Sequence, residues 1–192
     1  MSRCKHCKVR FTPEEAMKRL HDACIEPWTV AFREKQKRKA IAKRAAEKKV
    51  EKAQDRATRE RQKTIPQLIA EAQKEFNAYI RERDKDQLCI CCARPLGTSD
   101  VGGSFDCGHY RSTGSASHLR FDERNAHAQR KDCNRWGAGR AVDYRIGLVA
   151  RIGLEAVESL EADNQPVKWD RDTLRQIKVI YRAKTRELKR NA

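Results

Sequence analysis

Between Phe105 and Trp136 the chain gathers residue types that could hydrolyse a phosphodiester: Asp106-Cys107-Gly108-His109-Tyr110, then Asn125-Ala126-His127, then Cys133-Asn134. That reaction needs a base to activate water, a cation to neutralise the phosphoryl oxygens, and stabilisation of the leaving oxygen. His109 is the candidate base, because an imidazole with an ordinary pKa of about 6.5 accepts a proton at neutral pH. Asp106 is the nearest carboxylate for Mg²⁺, a hard cation that prefers oxygen. Asn134, at the expected start of a helix, can offer its amide oxygen to the same ion. Asn125 is expected to hydrogen-bond backbone and hold the His109 loop. His127, two residues on, would touch the scissile phosphate or act as a spare ligand. Taken singly, a histidine is more often structural and an asparagine more often a turn residue. The ordered set in one short span is what points to chemistry.

The eight cysteines point to metal before disulfides, since the N-terminus lacks the apolar run of a secretory signal. Cys4-x-x-Cys7 and His21-x-x-Cys24, with 13 residues between the pairs, suit a structural Zn²⁺ site, with His6 as a competing ligand. A segment so short would depend on the metal for its folding energy. A second site is expected from Cys89, Cys92 and Cys133. By the resemblance to HNH-type nucleases, whose second C-x-x-C overlaps the helix start, its fourth ligand would fall at position 130, which is arginine. Cys107, Cys91 and His127 are the candidate replacements, and loss of the metal is the alternative.

The elements that must position these groups are mostly helices, so the expected fold is α+β with a C-terminal helical domain around a ββα-metal core. Three parts are expected: a zinc module at 1–27, a basic helical arm at 28–65, and a nuclease domain at 66–192 with its core at 84–145. Pro27 and Pro66 bracket the arm, which contains neither Gly nor Pro and is rich in strong helix formers. It would extend about 57 Å at about 1.5 Å per residue. Thr64 and Gln67 form a capping box for a helix burying Leu68, Ile69, Ala72, Phe76, Tyr79 and Ile80. Ala141 to Ile152 reads as a helix with Tyr144, Leu148 and Ile152 on one face. Asp170 would cap a last helix carrying Leu174, Ile177, Ile180, Tyr181 and Leu188.

A formal net charge of +16, from 43 Lys and Arg against 27 Asp and Glu, points to a polyanionic partner. Between Ala31 and Lys63 stand fourteen Lys and Arg against five Asp and Glu, and a one-signed excess reads as an arm along phosphates. Lys37, Arg38, Lys48 and Lys49 are the candidate contacts there, with Arg111, Arg120 and Arg130 near the hairpin. No apolar run is long enough to span a membrane, so the cytoplasm is the expected compartment.

The ordered His, Asn and Cys-Asn set resembles the HNH-type ββα-metal nucleases. A closer resemblance rests on Arg81-Glu82-Arg83-Asp84, the Cys89/Cys92 pair, Asp106-x-Gly108-His109-Tyr110-Arg111 and Cys133-Asn134. Leu119-Arg120-Phe121-x-Glu123-Arg124-Asn125-x-His127-x-Gln129, Tyr144-Arg145, the stretch 151–157 and Trp169 extend it. Together they resemble the NinG/Rap family of lambdoid phages over nearly the whole chain. The resemblance implies an Mg²⁺- or Mn²⁺-dependent endonuclease that cuts branched DNA, namely Holliday junctions and D-loops, during phage recombination in a bacterial host. Arg130 departs from the expected zinc pattern. Two incisions at a four-way junction would suit a symmetric homodimer. The alternatives are a non-catalytic zinc-finger DNA-binding protein and a sequence-specific HNH nuclease.

Overall fold

The computed structural model describes residues 1–14, 17–98, 103–136 and 138–191. They fall into two compact units, Met1–Gln62 and Lys63–Ala192.

The first unit opens with a short antiparallel pair, β1 (Ser2–Arg3) and β2 (Arg10–Phe11). Lys8 takes a φ of 63° in the turn between them. The helix α1 then runs from Asp22 to Gln62, 41 residues, and buries none of them. Pro27 lies inside α1 and does not mark its start. A proline there forfeits one hydrogen bond, to the Ala23 carbonyl, and the surrounding helix formers carry the chain through. The last two ligands of the N-terminal module therefore sit at the root of the arm's own helix.

The second unit is built on α2 (Ile65–Arg83) and α5 (Arg171–Arg190). The Thr64 N–H donates to Gln67 Oε1 at 2.8 Å, and Pro66 occupies the first turn. Asp170 caps α5 by accepting from the Asp172 and Thr173 amides, both at 2.9 Å. Leu68, Ala72, Phe76 and Ile80 of α2 pack with Leu174 and Tyr181 of α5 and with Phe121 and Ala126. Lys178–Glu71 and Arg182–Glu75 pairs, at 2.7 and 2.6 Å, flank that seam. Ile180 departs from expectation and is half exposed. At about 100° per residue it is turned away from the line through Leu174, Ile177 and Tyr181.

The expected hairpin is present as β3 (Phe105–His109) and β4 (Ala126–Arg130), antiparallel, with Phe105 opposite Arg130 and His109 opposite Ala126. The continuous helix expected to open at Cys133-Asn134 is not there. Asp132–Trp136 form one turn of π-helix, and a 3-10 turn follows at Ala138–Arg140. Gly139 and Arg140, at φ 76° and 48°, break the path. Only then does α3 (Ala141–Ile152) begin. Gly153, at φ 88°, separates it from α4 (Leu154–Ala162), a helix absent from the sequence-based expectation. Tyr144, Leu148, Val157 and Leu160 close a second core over Ile90, Ala116 and Leu119. At Gly147 a methyl group would stand 1.7 Å from the Ile90 carbonyl oxygen, so α3 lies directly on the backbone of the 89–94 loop. The architecture is mostly helical α+β with two small sheets, as composition and patterning suggest.

Candidate metal centres and hydrolytic site

The cysteines gather into two sets. In the first, the ligand atoms of Cys4, Cys7, His21 and Cys24 all lie within 4.8 Å of one another. The Cys4 amide donates to the Val9 carbonyl at 2.9 Å, closing the β1–β2 turn around the first pair. Cys7 Sγ is 3.3 Å and Cys24 Sγ 3.9 Å from His21 Nδ1. Phe11 covers the imidazole, with ring centroids 4.5 Å apart. Burial pushes the Cys4 thiol up, but backbone amides around it more than reverse this and hold it below the usual thiol range.

The second set is Cys89, Cys91, Cys92 and Cys133, again within 4.8 Å. The Cys89–Cys91 and Cys92–Cys133 sulfur separations are both 3.6 Å. A tetrahedron with Zn–S bonds of about 2.3 Å has edges of about 3.8 Å, so the set fits Zn²⁺. Of the replacements open in the sequence, Cys91 supplies the fourth sulfur; Cys107 and His127 stand outside the set. Outer donors complete the site as they do around metal-bound thiolates. The Arg130 amide reaches Cys89, Arg94 Nε reaches Cys92 and Gln129 Nε2 reaches Cys91, at 3.3, 3.4 and 3.3 Å. Arg130 thus serves this site through its backbone, and its guanidinium is spent on Asp132 and the Pro95 carbonyl.

His109 ends β3 over the face of Phe76. Its Nε2 lies 3.1 Å from the Arg120 carbonyl, which can only accept, so Nε2 carries the proton and Nδ1 keeps its lone pair. Burial lowers the His109 pKa, and that hydrogen bond only partly offsets it. His109 lines a cavity with Tyr110, Ser112, Thr113, Asn134 and Tyr144. Asp106 lines an adjoining groove, and Asn134 and Cys107 border both. Arg135 Nε donates to Asp106 Oδ2 at 2.9 Å. Among the described residues the Asn134 amide has no hydrogen-bond partner. Asn134, in the π turn, therefore borders both the His109 cavity and the Asp106 groove.

Asn125 is fully buried and spans the hairpin mouth. It accepts from the Arg111 amide at 2.8 Å and donates to the Arg111 and Leu119 carbonyls at 3.0 and 3.1 Å. This fixes the backbone on either side of the His109 loop, and full burial keeps the side chain away from any substrate.

Besides Arg130, whose guanidinium is turned to Asp132 and Pro95 and not outward as a DNA contact, three sequence-based placements change. His127 is a buried structural histidine: Nδ1 accepts from Arg83 at 3.0 Å and Nε2 donates to the Arg124 carbonyl at 3.2 Å. It neither faces the cavity nor ligates, because Asp84, Arg83 and Arg151 converge on its side of the sheet. Arg111 closes the end of α4 instead of facing outward, bonding the Leu160 and Asp163 carbonyls and Asn164. Arg120 is drawn inward to Gln73 and the Thr113 carbonyl. Sequence reasoning placed Tyr144 on an apolar helix face but missed the role of its hydroxyl, which donates to the Gly108 carbonyl and accepts from the His127 amide, at 3.0 and 3.1 Å. It also missed Arg135, whose only sequence signal is its place after Asn134.

A family model described as Bacteriophage Lambda NinG protein matches residues 1–191. The chain belongs to the NinG family. Curated NinG relatives are similar over 121 residues, 63% of this chain. "Protein ninG" of Salmonella phage P22 is 43% identical, that of Escherichia phage 933W 44%, and that of Escherichia phage lambda 42%. The matched region covers 57–58% of these NinG proteins, a little over half their length. No solved structure matches the chain. In this NinG chain no helix among the described residues is long and apolar enough to cross a membrane.

Proposed function

We propose that this NinG protein is a metal-dependent, HNH-like endonuclease that cleaves branched DNA, Holliday junctions and D-loops, in phage recombination within the host cytoplasm. The observation that carries the reading is the convergence at Asn134. A neutral, proton-accepting His109 lies on one side of it, and the Asp106 carboxylate on the other. His109 Nδ1 takes a proton from the attacking water, and Phe76 and the Arg120 carbonyl hold the ring in the orientation that leaves Nδ1 open. Asp106 and Asn134 offer two oxygens, which suits Mg²⁺ or Mn²⁺, ions that complete their shells with water and phosphate. Such an ion would neutralise charge on the phosphoryl group. Asn125 and Tyr144 act on backbone and hold β3 and its loop in place.

The chain's large positive charge and the basic α1 favour phosphate contacts that carry no sequence information. Branch geometry then selects the substrate, and a homodimer would place two such sites at one four-way junction. The two thiol-rich sets fit structural Zn²⁺.

The test incubates the purified protein with end-labelled four-way junction and linear duplex of the same sequence, with and without Mg²⁺. Incision of the junction alone, dependent on Mg²⁺, is expected. Binding without incision under Mg²⁺ or Mn²⁺ would leave a zinc-finger DNA-binding protein. Cutting of linear duplex at a defined sequence would instead mark a sequence-specific HNH nuclease.

A further inference from the structure

Beside Asp106 and Asn134, the groove is walled by one face of α2 that no step above uses: Lys74, Asn77 and Arg81, with Arg135 opposite. Their spacing of three and four residues stacks them on a single side of the helix. Lys74 is exposed, and neither Lys74 nor Arg81 makes an ion pair among the described residues. Arg81 Nε is buried without a hydrogen-bond partner. Its terminal Nη atoms make no hydrogen bond among the described residues either, so the guanidinium keeps those donors for an acceptor in the groove. Asn77 is pre-set by a relay. Arg120 Nη1 donates to Gln73 Oε1 at 3.2 Å, and Gln73 Nε2 donates to Asn77 Oδ1 at 2.7 Å. That fixes the amide with its oxygen used and its NH₂ donors available. The groove therefore presents cations and N–H donors around one carboxylate, which already has Arg135 as its counter-charge. Lys74 and Arg81 are separated by about 10 Å of helix, roughly the rise of three nucleotides along one strand.

We propose that Lys74, Asn77 and Arg81 of α2, with Arg135, form a phosphate-gripping subsite that seats the DNA strand next to the phosphodiester at Asp106 and Asn134. The assignment rests on the nuclease reading for its substrate, but it is tested by binding alone. Lys74→Gln/Arg81→Gln in the full chain removes two phosphate contacts, and Lys168→Gln/Arg186→Gln removes the same charge at exposed positions outside the groove. Binding of fluorescein-labelled four-way junction is titrated against salt without added divalent ion, and zinc content is measured to verify folding. The groove variant is expected to bind more weakly, with a log K against log[salt] slope shallower by about 2. The control is expected to move the slope by less than half as much. Lys74→Gln alone, at an exposed position that cannot disturb the core, is expected to account for about 1. An unchanged slope in the groove variants, or an equal change in the control, would overturn the subsite. If wild type fails to cut under Mg²⁺ while the slope still drops, hydrolysis is refuted and the groove stands. Cutting by wild type with an unchanged slope gives the reverse.

Discussion

At the scale of single residues, the site depends on two side chains with opposite duties. As the proposed base, His109 would have to lose its proton readily, and burial beside Phe76 lowers its pKa. The folded protein therefore binds that proton less readily than the unfolded chain, whose value is about 6.5. This contribution to stability is complete above that pH and is lost as pH falls through the folded value. On the same logic, kcat/KM should hold through neutrality and decline only below about pH 6.5. His109→Ala should abolish incision while junction affinity stays within about twofold, since a neutral imidazole adds no phosphate charge; wild-type rates in this variant would remove His109 as the base. Asn125 has the architectural duty. Asn125→Ala leaves the Arg111 N–H and carbonyl without their partner, while the Leu119 carbonyl keeps the Asp122 amide, and should cost about 3 kcal/mol in urea unfolding. A loss under about 1 kcal/mol would mean that water replaces the amide.

At the scale of elements, the close approach of α3 to the cysteine loop ties the fold to the second thiol set. Gly147→Ala puts a methyl group against the Ile90 carbonyl. We expect a loss of about 3 kcal/mol, because neither backbone can retreat without moving Cys89 or Tyr144. A melting temperature equal to wild type would show that α3 can shift freely. Local signals made α2, α3 and α5 legible in advance. Thr64 and Asp170 announce their caps, and an apolar residue recurs at every third or fourth position. The hairpin was legible from the spacing of its chemistry-bearing residues. What the chain concealed depends on distant contacts. The choice of Cys91 over Cys107 follows from how the 89–94 loop curls, with Ala93 at φ 53° and its amide on the Cys89 carbonyl. His127 alternates correctly along β4, yet Arg83 and Asp84, 44 and 43 residues away, make its side of the strand the interior. The π turn at Asp132–Trp136 has no sequence periodicity to betray it.

At the scale of the whole molecule, charge and the two candidate metal-binding sets are divided between two units. Elemental analysis should find two zinc ions per chain, one for each set of four ligands. Cys4→Ser should remove one and Cys92→Ser the other; a folded, zinc-free protein would refute both assignments. The arm is tested by exchanging Lys37, Arg38, Lys48 and Lys49 for Gln, which keeps helix propensity. Binding to junction and duplex should weaken alike, with a salt slope shallower by about 3–4 and the cut position unmoved. An unchanged slope would reduce α1 to a solvated spacer. That helix buries no side chain along its 41 residues, and this sets its latitude for change. A position with no packed neighbour is judged only on helix propensity and charge, so substitutions between Arg33 and Arg59 that preserve both should be silent. Whole turns could be added or removed with little effect on the melting of either unit. Inheritance can therefore revise the reach of the arm in small steps, while the packed faces of α2 and α3 are held to far fewer substitutions.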